Sequence, residues 1–323
     1  MNEDKRDSTG QMQKVTEKMT VDFSVVIPVF NKEENILELY RRLTVQMEKL
    51  GEYEIIMVDD GSSDRSWELI KELHKSDSRV KGLGFSRNFG HHIALSAGLD
   101  YAKGDVIILM DADMQDPPEE IPRLIEKFRE GYDIVYGIRK TRHDPLLKRL
   151  TSAIFWFMIR RFSGVPMPAG QTMLRVLSRR VGDMMKEMRE YARFVHGMMA
   201  WTGFRVTTME VTHSPRMKGK SKYNIPKLFR LAFNAITSFS TVPLRLAVHI
   251  GIMSSFLSLI VGIYFVYRKI LYGIPVLGYA SIIVSVFFVG GIQLLVLGIF
   301  GEYLGRVYQE VQRRPLYILK EVL

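Results

Sequence analysis

Residues 106–118, VIILMDADMQDPP, decide how the rest of the chain is read. A run of strand-forming apolar residues, Val106 to Met110, delivers Asp111, Asp113, Gln115 and Asp116 to one loop. Such a run, closed at once by turn residues, describes a buried strand. Oxygen-bearing side chains this close together make a poor core and a good site for a hard cation. Asp and Gln oxygens suit magnesium or manganese, which take carboxylate, carbonyl and water ligands together with substrate phosphates. A plainer role, capping a helix that begins at Pro117, accounts for Asp116. It leaves Asp111 and Asp113 unexplained, and these are assigned to a metal–diphosphate site.

Working outward from this loop, the chain alternates strand and helix. Phe23–Pro28 (FSVVIP), Tyr53–Val58 (YEIIMV) and Val80–Phe85 read as strands. Helices are expected from about Asn31 to Leu50, from Trp67 to His74, and from His91 to a stop near Gly104. This alternation predicts a doubly wound, mostly parallel sheet, whose ligands bind beyond the carboxyl ends of the strands. The loops after VVIP, EIIMV and VIILM then converge on one crevice. That brings Glu33, Asp59, Asp60 and the Asp111–Asp116 cluster together, with Asp59 equally able to cap its own turn. Ser86, Arg87, Asn88 and His91 follow another strand and are expected near the donor. His91 and His92 point in different directions as helical neighbours, so they make a poor metal pair, and His92 is expected to be structural. Gly82-Leu83-Gly84 lacks the third glycine and the strand–loop–helix context of a dinucleotide fingerprint, which argues against hydride transfer.

A mean hydropathy of +0.01 coexists with 25% charged residues because the apolar residues are segregated. Leu246–Tyr267 gives 22 residues without a formal charge (His249 neutral), and Ile270–Gly301 gives 32. Each exceeds the roughly 20 residues that cross a bilayer as a helix. The net charge of +10 is also concentrated: residues 139–161 hold seven Lys/Arg against one acid, and residues 213–230 hold six and none. These basic residues are interleaved with apolar ones at helical spacing, in LLKRLTSAIFWFMIRRF and PKLFRLAFNAITSF. That is the pattern of amphipathic helices lying in a membrane interface. With a membrane hairpin beside them, nucleic acid is the weaker partner. The polar first 20 residues contain no signal peptide and read as a flexible tail. The chain has no cysteine, which excludes disulfides and thiolate metal sites.

With these residues in hand, the chain resembles the family-2 inverting glycosyltransferases of GT-A fold. Its nearest likeness is to their polyprenyl-phosphate subgroup, which includes dolichyl-phosphate mannose synthase and the bacterial undecaprenyl-phosphate sugar transferases. The motifs that carry the resemblance are VVIPVFNKEENI (25–36), EIIMVDDGSSDRS (54–66), SRNFGHHIALSAGL (86–99), DADMQDPPEEIP (111–122), GKSKY (219–223) and residues 290–318. It covers the chain from about Asp22 to the end. It departs from many relatives at 169–175, AGQTMLR, which lacks their acidic residue. No Trp follows an Arg, so the Gln-x-x-Arg-Trp motif of the processive synthases is absent and single-sugar transfer is favoured.

The resemblance implies a Rossmann-like GT-A domain (21–223), an interfacial amphipathic helix (224–245), two transmembrane helices (246–303) and a cytoplasmic tail (304–323). It implies a nucleotide site lined by Pro28, Phe30, Glu33, Asp60, Asp111, Ala112 and Asp113, with Asp60 on base or ribose. Mg2+ or Mn2+ is expected on Asp113 and Gln115, with Asp111 near the ribose or the metal. Arg216 and Lys220 lie on a glycine-containing loop that can close over the diphosphate, and Asp111, Asp113 and Arg216 are expected to carry catalysis. Headgroup binding is the simpler role for Lys218 and Lys222. Arg139 and Arg142 are candidates for the acceptor phosphate, lipid contact being their alternative.

The expected substrates are a UDP- or GDP-linked sugar and a polyprenyl phosphate, with homo-oligomerisation left open. A phosphate monoester is largely dianionic at neutral pH, its second pKa being about 6, so the nucleophile arrives deprotonated and a general base is dispensable. Nucleotide sugars are cytosolic, which puts the catalytic domain and both chain ends on the cytoplasmic face of the plasma membrane. Arg245, Arg306, Arg313 and Arg314 then flank the hairpin on that side, while Arg268 and Lys269 run against the rule. Two other readings stand beside this one. One is a glycolipid synthase using a diacylglycerol- or ceramide-like alcohol, which would need a base such as Asp116. The other is a membrane scaffold without catalysis, against which Asp111, Asp113 and Gln115 argue.

Overall fold

The computed structural model describes residues 21–139, 168, 170–212, 240–272 and 278–323. β1 (Phe23–Val29) and β2 (Tyr53–Asp59) are buried along their whole length. Burial on both faces requires helices on either side of the sheet, and α1 (Glu33–Met47), α2 (Ser66–Ser76) and α3 (His91–Tyr101) provide them. With β3 (Val80–Phe85) and β4 (Val106–Leu109) they form four parallel strands in the order β4-β1-β2-β3. α1 buries Ile36, Leu39, Leu43 and Met47, one stripe at helical spacing. α3 is buried from Ala94 to Leu99. It lies so close to β1 that a Cβ on Gly98 would fall 2.2 Å from Val26 Cγ1.

Beyond β4 the sheet becomes mixed. β5 (Ile134–Arg139), β6 (Gln171–Ser178) and β7 (Val206–Val211) complete that side, and the order of the eight strands is β7-β5-β6-β4-β1-β2-β3-β8. β6 is antiparallel to both β4 and β5, whereas β7 is parallel to β5. β5 therefore ends on the same edge as β4. α4 (Ile121–Phe128), α5 (Arg179–Glu187) and α6 (Val195–Trp201) pack around this half, and two apolar layers fill the space on either face of the sheet. Each fully buried Ile or Leu there contributes about 1.5–3 kcal/mol.

The DADMQDPP loop corrects one expectation. Asp116 does not cap a helix at Pro117; it is buried, and its Oδ2 accepts the Leu174 N–H at 3.2 Å. The chain turns instead through a 3-10 segment, Pro118–Glu120, whose leading prolines preset its backbone angles.

α7 (Val242–Tyr272) and α8 (Tyr279–Val311) have 31 and 33 residues and are both long and apolar enough to cross a membrane. They lie outside the two-layer core, and Ile252, Phe256, Leu257, Phe287 and Leu294 are among the many large apolar side chains they expose. The expected segment boundaries at 245/246 and 303/304 fall inside these helices. Tyr303 Oη donates to the Ser240 carbonyl at 2.6 Å, joining the base of the hairpin.

The last residues are more than a tail. Leu319–Val322 forms β8, antiparallel to β3 at the sheet edge. Trp67 Nε1 donates to Glu321 Oε2 at 2.9 Å, Tyr317 stacks on Phe85, and Tyr317 Oη donates to Asp100. The N-terminal tail, the basic segment 140–167 and most of the expected interfacial helix (224–239) lie outside the described residues.

Candidate active site

The loops after β1, β2 and β4 meet because their polar side chains stitch them together. Asn31 Oδ1 accepts the Ser63 N–H at 2.8 Å, and the Asn31 N–H donates to Ser62 Oγ. Glu33 and Asp64 exchange contacts across the same gap: Glu33 Oε2 accepts from Arg65 N, and Asp64 Oδ2 accepts from Glu33 N. Gly61 is required here, with φ +70° and Arg87 backbone 2.5 Å from where its Cβ would stand. Asn35 Nδ2 reaches the Ala112 carbonyl at 3.1 Å, fastening α1 to the acidic loop. Asn31 and Met114 both hold positive φ, 52° and 60°, so left-handed strain of about 1–3 kcal/mol each sits on the two loops that flank the crevice.

The crevice that results has a volume of about 350 Å³. Pro28, Phe30, Asp60, Asp111, Ala112 and Asp113 line it, and all six were expected from the sequence. Val29, Lys32, Asn88, Gly90 and His91 complete the lining. Lys32 was not singled out in the sequence, although it stands in the quoted NKEEN run. Glu33 is spent on the loop contacts and does not line the crevice. Gln115 does not line it either; its backbone N–H donates to Asp113 Oδ1 at 3.1 Å.

Asp59 Oδ2 accepts the Ser62 N–H, the turn-capping alternative. Asp60, buried, accepts backbone N–H groups of Phe89 and Gly90 at 2.7 and 3.0 Å, which sets the loop that opens α3. Burial raises both carboxyl pKa values, and these hydrogen bonds oppose it. Arg139 lies exposed at the end of β5 on the same sheet edge, outside the crevice lining, its N–H bonded to the Gly170 carbonyl. Arg142, Arg216 and Lys220 lie outside the described residues.

Electrostatics decide what the crevice can hold. Asp111 has its carboxyl pushed up to about 7, first by burial and then by the charges of Asp113 and Asp116. His91 Nε2 stands 3.5 Å from Asp111 Oδ1 and offers no countercharge: burial, then Arg175, lower its pKa to about 4. Burial and neighbouring like charge make the Asp111 carboxyl costly to ionise, and a divalent ion relieves such crowding. Among the described residues no three His, Cys, Asp or Glu side chains form a complete ligand set. Asp111 and Asp113, both in the crevice lining, fit an ion that takes one or two carboxylates and leaves its other positions to phosphate and water, as magnesium and manganese do.

Behind the loop lies a feature the sequence did not flag. Arg175 on β6 is fully buried, opposite Leu109 of β4 and Tyr136 of β5 in register. Its Nη2 donates to the Thr172 carbonyl at 2.6 Å and to His196 Nε2 at 3.1 Å, and its Nε donates to the Met173 carbonyl. His92, as expected, is structural, packed edge-on to Phe194 and His196. A larger cavity of about 890 Å³ opens between α6 and the hairpin base. Its charges balance, Glu190 and Glu310 against Arg306 and Arg313. Asp111 and Asp113 of the acidic loop line the smaller crevice instead.

An open α/β sheet that gathers carboxylates beyond its strand ends forms a crevice where sheets of this kind bind their ligands. Residues 24–188 match the family model described as glycosyl transferase family 2. The chain is 42% identical over 306 residues to an uncharacterized glycosyltransferase of Synechocystis sp., covering 94% of this chain and 96% of that protein. It is 41% identical over 300 residues to the SfII prophage-derived bactoprenol glucosyl transferase of Shigella flexneri, covering 92% and 97%. It is 36% identical over 308 residues to the undecaprenyl-phosphate 4-deoxy-4-formamido-L-arabinose transferase of Shewanella sediminis, covering 94% and 93%. The protein belongs to glycosyl transferase family 2, and it is a glycosyltransferase.

Proposed function

We propose that the protein transfers a single sugar, with inversion, from a nucleotide diphosphate sugar to a polyprenyl phosphate at a membrane surface. The observation that carries this reading is the pairing of two features in one chain: crowded Asp111 and Asp113 in the crevice, and two apolar helices with their side chains exposed. The names of the bactoprenol and undecaprenyl-phosphate transferases, matched over nine-tenths of the chain, support a lipid phosphate as acceptor. A divalent cation, when bound, neutralises charge that develops on the departing nucleoside diphosphate.

Each residue then has a task. Asp111 and Asp113 hold the cation side of the donor, and Lys32 adds a positive charge to the same wall. Phe30, 45% exposed at the mouth, offers a face for the base. Asp60 keeps the Phe89–Gly90 loop in place. Arg139, and Arg142 and Arg216 from segments outside the described residues, draw in and hold the two phosphorylated substrates. The acceptor phosphate attacks as an anion, so no side chain need take its proton. Direct displacement of an α-linked donor gives a β-linked product.

In this reading α7 and α8 cross the plasma membrane and return, with the catalytic domain cytoplasmic. The Ser240–Tyr303 contact and the return of β8 to the sheet support a hairpin whose two ends share one side. Incubation of the purified protein with polyprenyl phosphate and a panel of nucleotide sugars, read by product mass, tests it. A glycosyl phosphoryl-polyprenol is the expected product. Transfer to diacylglycerol or ceramide, with none to the lipid phosphate, overturns the acceptor assignment.

A further inference from the structure

Arg175 is hard to explain as part of a core. It is fully buried in the layer that holds Tyr136, Met198 and Met199, and no carboxylate lies within ion-pair distance of it among the described residues. Its partners are two carbonyls of its own strand, one neutral imidazole, the thioether sulfurs of Met173 and Met199 and the face of Tyr136, none of them charged. The His196 ring must accept at Nε2, because the guanidinium can only donate. That puts the imidazole proton on Nδ1, which is buried without a partner. A buried guanidinium beside an orphaned N–H is a poor choice for stability alone, since apolar side chains of similar volume fill such places at lower cost.

The contacts form a path to the acidic loop. His196, on α6, anchors Arg175; Arg175 grips the carbonyls of Thr172 and Met173; and the next N–H in the strand, that of Leu174, donates to Asp116 Oδ2. Thr172 Oγ1 also accepts the Leu174 N–H, at 3.1 Å, so the curled backbone there is held from both sides. Asp116 closes the segment that begins at Asp111 and Asp113. We infer that Arg175 is a positioning residue for the donor site, fixing the start of β6 so that Asp116 locks the Asp111–Asp113 loop in its cation-holding shape. His196 is its outer anchor. This inference rests on the reading of the crevice as a cation–diphosphate site.

Outer partners of metal-holding side chains change metal affinity by roughly 10–100-fold when removed. The test uses the full chain in detergent micelles, with Mn2+ binding followed by electron paramagnetic resonance without nucleotide, and with kcat measured against Mn2+ concentration. Arg175→Met keeps the volume and removes the fork. The half-saturating Mn2+ should rise about tenfold or more, and excess Mn2+ should restore kcat to within about threefold of the parent. His196→Phe preserves the stack on Phe194 and removes only the anchor; it should shift Mn2+ binding about threefold in the same direction. A folded Arg175→Met protein with unchanged Mn2+ binding overturns the inference, as does a loss of kcat that excess Mn2+ leaves in place. Should Arg175→Met fail to fold, as near-UV circular dichroism would reveal, His196→Phe decides alone, and unchanged Mn2+ binding there overturns the role. Absence of Mn2+ binding by the unaltered protein is a separate result, which removes the cation reading itself.

Discussion

Leu109 and Leu257 are the same residue in two settings. Leu109, on β4, is fully buried, and Leu257, midway along α7, leaves 60% of its surface exposed. The parallel half of the sheet and the hairpin are both built from Val, Ile, Leu and Phe. In the first, helices of this chain cover them; in the second, the chain leaves them open, and the proposed function gives them a bilayer as solvent. Apolarity alone therefore does not locate the core. What separates the two regions is the spacing of the polar residues, which interrupt the sheet half every few positions and spare the hairpin.

Substitutions on each side break or sharpen this contrast. Asp113→Ala should lower kcat roughly 10³-fold, the several kcal/mol a divalent cation supplies, while membrane association stays intact. Full activity of that variant in EDTA would sink the cation assignment. Leu257→Arg should oppose insertion by about 2.5–3.5 kcal/mol and release protein on alkaline extraction. If α7 faced water instead, the same change would fall within about 0.5 kcal/mol of neutral, and extraction would not change.

Asp111→Asn tests the crowding of the crevice. The carboxyl binds its proton more tightly when folded, so its ionisation opposes folding. The cost is absent below pH 3.8, the ordinary value, and complete above about 7. Without metal at pH 8, Asp111→Asn should thus be more stable than the parent, by about 1–2 kcal/mol given the 29% of the side chain that water reaches, while losing transfer. At pH 3 the advantage should vanish; equal melting temperatures at pH 8 would refute the crowding. Smallest of all, Glu321→Gln should weaken the Trp67 bond at the β8 seam by about 1 kcal/mol, lowering the melting temperature a few degrees.

The first four strands and the acidic loop were legible because parallel strands buried on both faces are written as mostly apolar runs, with isolated exceptions such as Ser24, Glu54 and Lys81, each ending in turn residues. The rule that such loops converge brought Asp60, Asp111 and Asp113 together, and the family resemblance implied Pro28, Phe30 and Ala112 beside them. The far half was not legible in the same way. β6 runs antiparallel, and nothing in QTMLRVLS states its direction, so Leu174 could not be placed against Asp116. Glu33 read as ligand-facing because carboxylates in loops are ambiguous. Its backbone partner, Arg65, and the second role of Asp60, holding the Phe89 and Gly90 N–H groups, emerge only when the loops are assembled. Arg175 did leave a trace, a lone cation inside an apolar strand, which is a signal for a buried charge. β8 left none, since LKEV is short and polar.

The β8 seam carries a consequence for how the molecule is made. Trp67 and Glu321 are 254 residues apart, and both hairpin helices lie between them in the chain. During synthesis the edge of β3 must wait, its backbone groups unpaired, until the ribosome has delivered α7, α8 and the strand after them. A pairing of such long range is slow to form, and an open edge invites other strands in the meantime. β8 can therefore join the sheet only after both hairpin helices have been made.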